Sequence, residues 1–72
     1  MNLTEAILGK EYTIVDVMTG DDELDSFLFS LGCYTGEKIT VVSHIGKSLV
    51  VSIKDARYNI DFGLGSVITI VE

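Results

Sequence analysis

The sequence predicts a mainly β fold, a small five-stranded barrel with one short α-helix at about residues 22–31. Two observations carry this expectation. Only one stretch of the chain has helical periodicity, and after residue 37 short β-branched runs follow one another almost to the end. The length sets the scale: 72 residues suffice for one hydrophobic core, so residues 1–72 are expected to form a single domain.

The elements follow in chain order. NLTEAIL mixes helix-favouring residues with an apolar set at Leu3, Ala6 and Ile7, which predicts a short helical turn. GKEYTIVDVM reads as a strand carried by Tyr12, Ile14, Val15, Val17 and Met18. TGDDELDSFLFSLG is the helix. Leu24, Phe27, Leu28 and Leu31 fall at i, i+3, i+4 and i+7, and Asp21, Asp22 and Glu23 crowd the start, where oxygens and negative charge meet free N–H groups. Gly32 stands where a left-handed residue ends such a helix.

EKITVVSH, SLVVSIK, RYNIDF and VITIV are the remaining strands. Their inward sets are Ile39 and Val41, then Leu49, Val51 and Ile53, then Tyr58, Ile60 and Phe62. The IGK segment makes the hairpin between the first two, and GLGS reads as a turn before the last strand. Strand edges in so small a barrel leave weak homo-oligomerisation open, unless Lys38, Lys47 and Lys54 protect them.

Charge restricts the function. Eleven acids against five bases give a net charge of −6, so a nucleic-acid partner is not expected, because such binding rests on Lys and Arg neutralising phosphates. MNLTEAILGKEY has no basic start and its apolar run is broken at Gly9 and Lys10, so a signal peptide is not expected. Nor is membrane insertion, since no apolar run approaches the ~18 residues a span requires. With a single cysteine the expected compartment is the reducing cytoplasm.

No residue set makes a convincing catalytic, cofactor or metal site. Cys33 follows the helix-ending glycine, where its side chain folds back towards Leu28 as a small hydrophobe. A nucleophile would need a neighbouring base, and the one histidine, His44, lies at the end of a strand. The cluster Asp21, Asp22, Glu23 and Asp25 lacks the spacing of a calcium loop and is accounted for by capping. GLGS has neither the third glycine nor the Lys-Ser/Thr of a phosphate loop. Phe29 is different. It lies about 150° from the centre of the helix's apolar stripe, so it is either covered by the N-terminal segment or open to a partner. The candidate partner-binding residues are therefore Phe29, its helix neighbours Asp25 and Ser26, and Tyr34 at the following corner.

Leu31-Gly32-Cys33-Tyr34-Thr35-Gly36-Glu37-Lys38, running into Ile39-Thr40-Val41-Val42, resembles the ferrous iron transport protein A (FeoA) family. Leu3-Thr4-Glu5-Ala6, Gly9-Lys10, Ser48–Ile53, Tyr58–Asp61 and Ile68–Val71 extend the likeness along nearly the whole chain. Thr35 stands where relatives commonly have proline, which leaves Gly36 to supply the positive φ of a type II turn. The acidic helix replaces the arginine of many relatives, and FGLGSVITI replaces their usual helical turn before the last strand.

The resemblance implies an SH3-like barrel and a family setting of ferrous iron transport and transition metal ion binding. It also implies a non-enzymatic cytosolic accessory that contacts the transporter FeoB through its GTP-binding domain. Arg57, the only arginine, lies at a strand start and is not placed as an arginine finger. Similar domains end iron-dependent repressors, so the alternative is a metal- or effector-sensing domain using the acidic cluster and His44. A thiol enzyme centred on Cys33 is a third. A chain that starts at Met1 without a helix-turn-helix fits the accessory better.

Overall fold

The computed structural model describes all 72 residues. A 3-10 turn at Leu3–Glu5 is followed by β1 (Glu11–Val17), α1 (Asp22–Ser30), β2 (Lys38–Ile45), β3 (Ser48–Ile53), β4 (Ala56–Asp61), a one-turn helix α2 (Phe62–Gly65) and β5 (Ile68–Val71). The five strands form one antiparallel sheet in the order β4-β3-β2-β1-β5. Register shifts between Ile14 and Asp16 and between Val41 and Ser43 mark bulges. Bulges bend strands, and here they let a short sheet curl around one core. β4 and β5 remain unpaired with each other; α2, at the end of β4, packs on β3 and on the 3-10 turn, and that turn packs on β5.

The core follows the strand alternation. Tyr12 and Ile14, Ile39 and Val41, Leu49, Val51 and Ile53, and Ile68 and Ile70 are buried, with Leu3, Leu28, Cys33 and Ile60 completing it. Tyr12 keeps a polar tip in this apolar setting, and its hydroxyl accepts the Ile7 N–H at 3.0 Å. That bond ties the loop after the 3-10 turn to β1.

Several sequence expectations need correction. Ile7 does not join Leu3 and Ala6 in packing, and Met18, read as part of the first strand, lies beyond its end and is exposed; both sit in loops outside the regular elements. GLGS is not a turn but most of α2. The Asp61 carboxylate caps it by accepting the Gly63 N–H, and Phe62 is thereby rotated out of the strand alternation onto the surface. Lys38, Lys47 and Lys54 do not guard a sheet edge: Lys38 lies on β2, inside the sheet, and the other two sit in hairpin loops.

Candidate protein-interaction site

α1 begins and ends as its sequence dictates. Asp21 accepts the N–H groups of Glu23 and Leu24, and the Gly32 N–H donates to the Phe29 carbonyl at 3.0 Å while the Cys33 N–H donates to that of Leu28 at 2.9 Å. Those two bonds make a Schellman closure, which requires the positive φ that Gly32 adopts at 94°. Between its ends the helix is only lightly attached. Of its stripe, Leu28 is buried and Leu31 partly covered, whereas Leu24 is 39% and Phe27 46% exposed. The periodicity correctly identifies a helix but overstates how much of it is buried.

Phe29 is open to solvent at 64% exposure, which answers the choice that the sequence left open. Its ring packs on Tyr34 with centroids 4.9 Å apart and planes tilted by 34°. The corner after Gly32 positions Tyr34. The Glu37 N–H returns to the Tyr34 carbonyl at 3.1 Å, and Gly36 takes the left-handed φ that this turn demands. The Gly36 N–H and the Glu37 carbonyl then bond to Ile14, fixing the corner to β1.

Lys54 holds the outer side of Tyr34. Its ammonium donates to the Tyr34 hydroxyl at 2.7 Å, lies 5.1 Å from the ring centroid and stands 3.5 Å from the Glu37 carboxylate. The hydrogen bond to Tyr34 is the main reason its pKa is raised; the Glu37 charge adds to it, and partial desolvation opposes it. Lys54 was not foreseen from the sequence as part of this site, because the fold brings it to Tyr34 from twenty positions away. The sequence carries no glycine to mark this hairpin, whose two loop residues, Lys54 and Asp55, take positive φ at 50° and 68°.

The ring pair forms a ridge between two hollows. One, of about 190 Å³, is lined by Val17, Asp25, Phe29, Cys33, Tyr34 and Thr35; the other, of about 420 Å³, includes Leu31, Lys54 and Tyr58. Asp25 lines the first but is turned inward, where it accepts the Thr19 N–H at 3.0 Å and the Thr19 hydroxyl at 2.8 Å. Ser26 is exposed on the outward side of α1. Thus Phe29 and Tyr34 are in contact, Asp25 braces the loop beneath them, and Ser26 stands one helical turn before Phe29.

The other candidates fall elsewhere. Burial leaves Cys33 2% exposed and pushes its thiol up to about 11, which keeps it protonated near neutrality. His44 stacks on Phe62 with centroids 5.2 Å apart, beside the β2–β3 turn. No three His, Cys, Asp or Glu side chains stand together so as to hold a metal ion. No helix is long and apolar enough to cross a membrane.

Comparison with known proteins bears on the fold and the family. An iron uptake regulatory protein solved as FeoA superposes with a TM-score of 0.86 at 25% identity, covering 97% of this chain and 93% of that one. The zinc complex of FeoA from Stenotrophomonas maltophilia, described as a prokaryotic SH3 domain protein, gives 0.83 at 21% identity over 99% and 89% of the two chains. A manganese-dependent transcriptional repressor gives 0.84 at 16% identity, with 94% of this chain lying on 39% of the repressor, a likeness of fold. No curated protein sequence matches the chain. The FeoA domain family model matches residues 1–72, and the chain belongs to that family.

Proposed function

We propose that this chain is a non-enzymatic cytoplasmic accessory of ferrous iron transport that works by docking to the GTP-binding domain of a FeoB-type transporter. Family membership supports the transport setting. The observation that carries the mode of action is the Phe29–Tyr34 ridge, in which the exposed Phe29 ring packs on Tyr34 and the Tyr34 hydroxyl is bonded by Lys54. Aromatic anchors that are ordered before binding lose little freedom on docking, so they contribute disproportionately to affinity. Ser26 and Asp25 flank the ridge, the first as a rim contact and the second as a brace.

Calorimetric titration with the soluble GTP-binding domain of the cognate transporter tests this reading. It is run nucleotide-free, with GDP and with a non-hydrolysable GTP analogue. Association is expected in at least one state, with Phe29→Ser weakening it about tenfold or more and Ile45→Ser, at the distant end of β2, leaving it unchanged. Absence of association in every state overturns the proposal.

The sensing alternative shares only a fold with the manganese-dependent repressor. Localised amide shifts at residues 21–25 and at His44 on addition of ferrous or manganous ion would favour it instead.

A further inference from the structure

The two end strands of the sheet are treated differently. The outer edge of β5 is covered by the chain's own N-terminus, where Asn2 bridges Thr69 and the Ile70 N–H donates to the Met1 carbonyl at 2.8 Å. The outer edge of β4 has no such cover. Ile53 and Ala56 flank the two-residue loop of the β3–β4 hairpin, so Ala56, Tyr58 and Ile60 direct their N–H and C=O groups at β3. Arg57 and Asn59 then direct theirs away from the sheet, and no backbone hydrogen bond outside the regular elements uses them.

The side chains along this edge have a self-complementary order. Arg57, Asn59 and Asp61 are all exposed on one face. Arg57 has no ion pair within the chain, and Asp61 uses one oxygen to cap Gly63, leaving the other free. We infer that β4 pairs with β4 of a second copy of this chain, antiparallel about a two-fold axis at Asn59. In that register each Arg57 faces Asp61 of the other copy, Asn59 faces Asn59, and Tyr58 faces Ile60 on the opposite side of the sheet. About six backbone hydrogen bonds join the copies.

The neighbouring registers are penalised. Centring on Tyr58 sets Asp61 against Asp55 and leaves Arg57 without a carboxylate. Centring on Ile60 requires Gly63 as a strand partner, and Gly63 is helical. Opposite charges across strands therefore select one register, as they do within sheets. The net charge of −6 on each copy opposes association, so the dimer is weak and forms only at high protein concentration.

Sedimentation velocity over a concentration series into the millimolar range, with amide hydrogen exchange at Asn59, tests the inference. A monomer–dimer equilibrium is expected, with slower exchange at Asn59 as dimer forms. Arg57→Asp and Asp61→Asn should each weaken the dimer about fivefold or more while circular dichroism stays native. Asp61→Asn keeps a carbonyl oxygen to cap Gly63, so it removes charge without removing the cap. A chain that stays monomeric throughout, a dimer indifferent to both variants, or one lost on Phe29→Ser instead overturns the inference.

Discussion

Cys33 ionises near 9.0 when it is free in the unfolded chain and near 11 when it is buried in the fold. Between those values the unfolded state holds fewer protons than the native state, so stability falls as pH rises from 9 to 11 and changes little below. The loss attributable to this group is at most about 3 kcal/mol. Denaturant titrations at intervals across that range should show the fall in the native chain and a flatter profile in Cys33→Ala. The same burial predicts slow thiol labelling of the folded protein at neutral pH. Phe29 has the opposite character: its ring is mostly in water, so Phe29→Ser should change folding stability by less than about 1 kcal/mol. A loss of binding in that variant is then not a loss of fold.

At the scale of elements, the residues that start and stop α1 and α2 are sensitive to substitution. An added Cβ at Gly32 would sit 3.1 Å from Ile53 Cγ2 on a backbone with φ of 94°, so Gly32→Ala should cost about 1–3 kcal/mol in chemical denaturation. At Gly65 it would meet Leu49 Cδ1 at 2.7 Å, and Gly65→Ala should cost about as much through overpacking. Asp21→Ala should cost about 1 kcal/mol by removing the N-cap.

These elements were not equally legible in the sequence. The corner from Gly32 to Gly36 could be read because each glycine marks a backbone sign change beside a clear helix and a clear strand. α2 could not, because Gly63 and Gly65 are poor helix formers; the turn exists because only glycine fits against Leu49 and because Asp61 caps it. The exposure of Leu24 and Phe27 was equally hidden, since periodicity names a face of a helix without saying how much of it the sheet covers.

Over the whole molecule, the six residues of β3 span about 17 Å and separate two ends of different chemistry. At one end lies the ridge of Phe29 and Tyr34 with Lys54, and at the other the stacked pair of His44 and Phe62. Ridge residues from α1, the glycine corner and the β3–β4 hairpin meet only in the folded chain, which is why Lys54 was missed while Phe29 and Tyr34 were found. The central claim, that the ridge is the docking surface, is tested most directly by mapping amide shifts of the isotope-labelled chain as unlabelled transporter GTP-binding domain is added. The account predicts that shifts concentrate at residues 26–35 and at Lys54, and that Phe29→Ser removes them. Shifts confined to His44, Lys47 and Phe62, or no shifts in any nucleotide state, would contradict it.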